Sequence, residues 1–241
     1  MNWDEVWSIW QTFGSLGDTL RWTPHDWPPL HFLFINLWKD YAGIEPLPLR
    51  VSSLFASMLG AAFTYRAAKR LGGEPAALLA TLVYAALGFA IFLGLLVRAY
   101  TFLLALSALA LWLTLRYFER PSMWRGLALA FCCVAMWYLH YTAVFVFALL
   151  GLVTLFRCPR RLWRWWLPGL LVAIVGVITY LSKSEVFATR TVYNATMVEL
   201  PPLPQALEEV YGTFGYPLAG VWVILFAIAT LRLLSLPAVR W

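Results

Sequence analysis

Residues 76–96 read AALLATLVYAALGFAIFLGLL, and no charged residue interrupts the run. A straight helix needs roughly 20 apolar residues to cross the hydrocarbon of a bilayer, so this stretch is sized for one passage. The reading repeats along the chain. Leu47 to Tyr65, Ala99 to Tyr117, Gly126 to Leu139, Tyr141 to Phe156, Trp165 to Leu181 and Tyr216 to Leu234 bring the count to seven spans. Gly126 to Leu139 and Tyr141 to Phe156 are short, so their junction at His140 is expected to sink below the bilayer surface or to thin the membrane around it. The fold class that follows is all-α: a polytopic transmembrane helix bundle with outward-facing juxtamembrane helices.

Composition agrees. The chain is 62% hydrophobic and only 12% charged, far from soluble-globular norms. A net charge of +6 raises the question of nucleic acid, but the basic residues sit in short clusters between apolar runs, which is a topology signal. No nucleic-acid partner is expected. Cys132 and Cys133 are adjacent within an apolar run and Cys158 lies in a basic loop, so neither a disulfide nor a cysteine metal site is expected. Residues 1–26 are polar and aromatic, without the charged segment and apolar core of a cleavable signal peptide.

Alternating the spans sorts the loops into two sets. One set carries twelve of the eighteen basic residues and only Glu74 and Glu119 of the twelve acids. By the positive-inside rule that set is cytoplasmic. The N-terminal acids, Arg98, His140 and the loop after the sixth span then share the outer face. A single membrane domain, 1–241, is expected: an outer juxtamembrane segment with two interfacial helices over 1–46, a six-span core over 47–182, an outer loop over 183–215, and a seventh span and tail over 216–241. That loop offers Lys183, Glu185, Arg190 and Tyr193 as outer-face candidates, with a short helix expected from Pro204 to Thr213.

The first thirty residues hold the densest acid. On a helix, Trp3, Val6, Trp7, Trp10 and Phe13 form one aromatic stripe, while Asp4, Glu5, Ser8, Gln11 and Thr12 face away; this is the pattern of a helix at a membrane surface. A second short helix is expected from Leu30 to Trp38, after the Asp26-Trp27-Pro28-Pro29 turn.

Each polar candidate carries two readings. Asp4 and Glu5 fit either a solvated helix start or, at Asp4, a general base taking a proton from an acceptor hydroxyl. Asp26 fits a helix cap, or a residue that orients substrate or binds a divalent cation beside His25 or His31. Arg98 ends an apolar span and either snorkels to the interface or clamps a phosphate with its planar fork, with Tyr100 close by. His140 is either hydrogen-bonded at headgroup level or functional.

Taken in order, these residues resemble the polytopic GT-C glycosyltransferases that use polyprenyl-phosphate sugars, the group of the protein O-mannosyltransferases and the bacterial aminoarabinose transferases. The landmarks are Asp4-Glu5, then His25-Asp26-Trp27-Pro28-Pro29-Leu30, Arg98-Ala99-Tyr100 and Tyr138-Leu139-His140-Tyr141, over roughly residues 3–156. The chain departs from the family pattern at Trp27, where a histidine or lysine is usual, and at Leu95, Leu96 and Val97, where polar residues are usual. Relatives also carry a transmembrane helix before the Asp-Glu pair, so the expectation is a fragment without that helix and without the C-terminal part. The resemblance implies an inverting transfer of a sugar from a polyprenyl-phosphate donor to an acceptor on protein, glycan or lipid. Asp4 and Glu5 would be catalytic, Arg98, Tyr100 and His140 would bind the donor phosphate, and Asp26 and His25 would position substrate. A divalent cation is the one cofactor left open. The implied location is a bacterial plasma membrane, with the active face extracytoplasmic. Two other readings stand beside it: a transporter or flippase for a lipid-linked or amphipathic solute, and an inactive accessory membrane subunit.

Overall fold

The computed structural model describes residues 3–23, 27–157, 163–197 and 204–205. Every element in it is a helix. The chain opens with three short ones, α1 (Trp3–Trp10), α2 (Leu16–Trp22) and α3 (Leu30–Ala42). Helices form at both places before residue 46 where the sequence predicts them, as α1 and α3, the latter running on to Ala42; α2 is an addition. It starts at a capping box, in which the Ser15 hydroxyl accepts from the Asp18 amide at 3.2 Å and the Asp18 carboxylate accepts from the Ser15 amide at 3.0 Å. Asn36 of α3 ties the three helices together, its Nδ2 donating to the Thr12 carbonyl and the Thr19 hydroxyl, both at 2.8 Å.

The polarity of α1 is turned inside out. Trp3, Val6, Trp7 and Trp10 are exposed, while Glu5 and Ser8 are buried against the rest of the protein, as are Gln11 and Thr12 just beyond the helix. A water-soluble helix would do the opposite; a helix whose outer face meets lipid gains by presenting its aromatic rings there.

The bundle follows. Helix α4 (Pro46–Ala86) bends back on itself at Gly73, where φ is +78°, a conformation that suits glycine. Pro75, two residues on, cannot donate to the preceding turn. The two halves lie side by side, with Gly60 against Tyr84, and the first half also reaches farther along the chain, where the Ser53 hydroxyl donates to the Leu96 carbonyl at 2.6 Å. The second half breaks at Leu87, whose backbone is extended, and resumes as α5 (Gly88–Gly94). Then come α6 (Ala99–Glu119), α7 (Met123–Leu139), α8 (Ala143–Arg157) and α9 (Trp166–Met197). By length and composition α4 and α6 are long and apolar enough to cross a membrane, and shorter apolar helices occupy 123–139, 143–152 and 163–179. Helix α9 continues to Met197, so the beginning of the segment expected as an outer loop is helical. The seventh expected span and the helix expected from Pro204 to Thr213 lie outside the described residues, apart from positions 204–205.

Small residues make the contacts and large ones face out. Ser53, Ala56, Gly60 and Ala67 of α4 and Ala105 and Ala110 of α6 are buried, whereas Leu54, Phe55, Met58, Leu59, Leu78, Leu82, Phe131 and Phe145 are exposed. Close approach over small side chains, with an apolar exterior too wide for water, is the packing of a membrane helical bundle.

Helix α6 is about 30 Å long at 1.5 Å per residue, and its ends differ in chemistry. At its C-terminal end Arg70 pairs with Glu119, Arg66 and Arg116 lie over the Trp112 ring, and Arg125 donates to the Arg120 carbonyl. At its N-terminal end lie Arg98, the three short helices and the junction at His140.

Candidate active site

The site is built on the link between α5 and α6. A helix that stops leaves its last carbonyls without partners, and the next helix starts with free amides. Here those groups are taken up one by one. The Thr101 hydroxyl donates to the Leu93 carbonyl at 2.7 Å, Ser53 donates to Leu96, and the Val97 amide donates to Glu5 Oε1 at 3.1 Å. Both helix ends are thereby fixed, and Arg98, at the start of α6 with extended backbone, is held in one place.

Glu5 makes the longest reach in this arrangement. Besides the Val97 amide it accepts from Arg50 Nε at 3.2 Å and from Arg50 Nη2 at 3.0 Å, a bidentate fork to a carboxylate only 1% exposed. One carboxylate therefore joins α1, α4 and the α5–α6 link. Both Glu5 oxygens are engaged within the protein. Asp4, its neighbour, is exposed, and its main-chain carbonyl accepts from Arg98 Nη1 at 3.2 Å. The same nitrogen donates to the Ser8 hydroxyl at 3.2 Å. One turn of α1 thus secures Arg98 and the residue before it.

Arg98 opens onto a cavity of about 320 Å³, within the range of small-molecule sites. Trp27, His31, Phe32, Tyr100, Leu139, His140 and Tyr141 line it together with Arg98, which is the one charged residue in that lining. The guanidinium lies over two rings, 5.5 Å from Trp27 and 5.7 Å from Tyr100, and Tyr100 meets the His140 ring at 5.3 Å. Stacking of this kind orients the fork without neutralising it.

Both imidazoles are shifted toward the neutral form. Burial pushes His31 down to about 4, the positive charge of Arg98 adds to the shift, and the Val97 main chain opposes it. His140 is lowered by burial and again by Arg98, and its Nδ1 lies 2.8 Å from the Thr142 hydroxyl. An arginine held beside neutral donors and flat aromatic walls suits an anion.

The structure brings together four of the residues singled out from sequence: His31, Arg98, Tyr100 and His140. Asp4 and Glu5 reach the same end of the bundle but do not line the cavity. His25 and Asp26 lie outside the described residues. Among the described residues no three His, Cys, Asp or Glu side chains gather to hold a metal ion. Arg50 and Ser8 were not foreseen. Arg50 had a signal, since a guanidinium inside an apolar span requires a partner. Ser8 had none beyond its place on the polar stripe, and Trp27, read from sequence as a departure, proves to be a wall.

A family model for dolichyl-phosphate-mannose-protein mannosyltransferases matches residues 26–187, a stretch that takes in every residue lining the cavity. The chain belongs to that family. No curated protein and no solved structure matches it. Membership places the chain among membrane glycosyltransferases, and the residues of α1 lie ahead of the matched region.

Proposed function

We propose that this membrane glycosyltransferase moves a sugar from a polyprenyl-phosphate donor to an acceptor hydroxyl, with inversion, at the extracytoplasmic face. The observation that carries the reading is Arg98, a fixed guanidinium held over two aromatic rings in the wall of a cavity whose lining, among the described residues, contains no other charged side chain. A lipid phosphate leaving the anomeric carbon gains negative charge as the bond to the sugar breaks. A prepositioned guanidinium stabilises that charge at no cost in reorganisation. The acceptor oxygen attacks the anomeric carbon from the opposite face, its proton passes to the Asp4 carboxylate, and the electron pair of the broken bond stays on the phosphate. Asp4 sits on the turn of α1 that also holds Arg98, which supports this division of labour. Glu5 positions; it does not exchange the proton. The orientation rests on the cationic end of the bundle around Arg70, Arg116 and Arg125, which the positive-inside rule assigns to the cytoplasm.

The deciding experiment measures binding of a polyprenyl-phosphate sugar and its transfer, in wild-type protein and in Arg98→Ala and Arg98→Lys. Alanine should lower donor affinity at least about tenfold, and lysine should restore part of it, because an ammonium lacks the planar fork. Equal affinity in all three forms would reduce Arg98 to a membrane anchor. Asp4→Asn should keep donor binding and lose transfer; undiminished transfer removes Asp4 from the mechanism.

A further inference from the structure

His31 lines the cavity, yet the mechanism above gives it nothing to do. It sits in the first turn of α3, 2% exposed, with its ring 5.7 Å from Phe32 and 5.8 Å from Phe102. Among the described residues neither ring nitrogen is placed in hydrogen-bond geometry with a side-chain or main-chain partner, and the Val97 main chain is the polar group that acts on the ring, opposing the downward shift. Burying an imidazole with both nitrogens idle is unfavourable, and a phenylalanine would fill the same aromatic nest without that cost. An occupant that brings acceptor oxygens into the cavity removes the conflict. A neutral imidazole always has one N–H to give, and a phosphate oxygen is the strongest acceptor that an arginine-lined site would attract. His140 stands differently, because its Nδ1 already meets Thr142.

We propose that His31 is a further donor-binding residue, its ring N–H donating a hydrogen bond to a phosphoryl oxygen of the lipid phosphate that Arg98 holds. The proposal rests on the donor reading given above. Arg98 supplies the charge, and a second donor at His31 fixes the rotation of the phosphate about it.

The test uses the full chain in detergent and two ligands, a short-chain polyprenyl phosphate and the matching polyprenol. The quantity read is the preference for phosphate over alcohol, which a general packing defect would not change. His31→Phe should bind the alcohol like wild type and the phosphate about tenfold more weakly, the usual effect of one hydrogen bond to a charged acceptor. His31→Gln, which retains a donor, should recover most of the loss. Thermal unfolding verifies that the variants fold, and His31→Leu replaces His31→Phe if the latter does not. Undiminished phosphate preference in His31→Phe, equal loss of both ligands, or no recovery in His31→Gln overturns the assignment. Arg98→Ala in the same assay separates the two proposals. If it loses the preference while His31→Phe keeps it, the His31 assignment alone falls; if both variants keep it, the phosphate reading of the cavity falls too.

Discussion

At the scale of single residues, adjacent carboxylates have opposite fates. Asp4 is exposed and Glu5 is 1% exposed, although a helix-start reading treats them as one acidic pair. Which of two neighbouring acids turns inward depends on a partner 45 positions away, Arg50, and on an amide 92 positions away, Val97; no local pattern contains either. Glu5→Gln should therefore destabilise the protein by about 2–4 kcal/mol, toward the lower figure because the Arg50 side chain is 36% exposed, and should weaken donor binding through the displaced Arg98. Thermal unfolding in detergent measures the first effect. The second is checked by comparing KM with kcat, since a positioning residue moves donor affinity more than the chemical step. His31 gives a pH signature of known sign. Its folded value of about 4 lies below the 6.5 of an unfolded chain, so between those limits the unfolded chain binds the extra proton. Stability is complete above about pH 6.5 and falls on acidification toward pH 4, by about 3 kcal/mol, in a direction His140 shares. His31→Phe should flatten much of that slope; an unchanged slope would mean that other groups set it.

At the scale of elements, the apolar helices among the described residues were legible because the length of an apolar run is a local property. So was the existence of a helix at the start of the chain. Three features were not. The helix at Leu16 was announced by Ser15 and Asp18 at capping-box spacing but is too short to show a hydrophobic period. The break at Leu87 has no proline or charge to announce it, only Gly88 after it. The extension of α9 to Met197 was read as loop because residues 182–197 are polar, but polarity reports the surroundings of a segment and not its backbone, and that stretch contains neither glycine nor proline. The contact between α4 and α6 makes a separate prediction. A side chain at Gly60 would run into the Tyr84 hydroxyl and lie 3.4 Å from the Ala105 Cα. Gly60→Ala can be met by a swing of Tyr84, whereas Gly60→Val also forces α6 away and should cost about 1–3 kcal/mol. A thermal-unfolding series of the two variants separates these cases, and equal losses would show that Tyr84 alone sets the limit.

At the scale of the whole molecule, the bundle has a cationic end around Arg70, Arg116 and Arg125 and an end that carries the Arg98 cavity, and the proposed function requires them to face opposite sides of the membrane. Single cysteines test this directly, after Cys132, Cys133 and Cys158 are replaced by alanine. Tyr41→Cys, at an exposed position near the end of α3, should react with an impermeant thiol reagent in intact cells. Pro121→Cys, between α6 and α7, should react only after the membrane is opened. The reverse pattern would place the Arg98 cavity in the cytoplasm and overturn the proposed orientation. The cavity itself was only half legible: Arg98, Tyr100 and His140 stood out as polar groups at span ends, while Trp27 supplies part of the wall from a turn and the fixing of Arg98 comes from α1, far away in sequence. The Glu5 clasp also imposes an order on biosynthesis. Ribosomes add roughly 5–20 residues per second, so Glu5 emerges on the order of five to twenty seconds before Val97 exists to complete its anchorage. During that interval the first helix is a tethered but unseated passenger, and nascent chains arrested before residue 97 should leave it open to protease while chains arrested well beyond that point protect it.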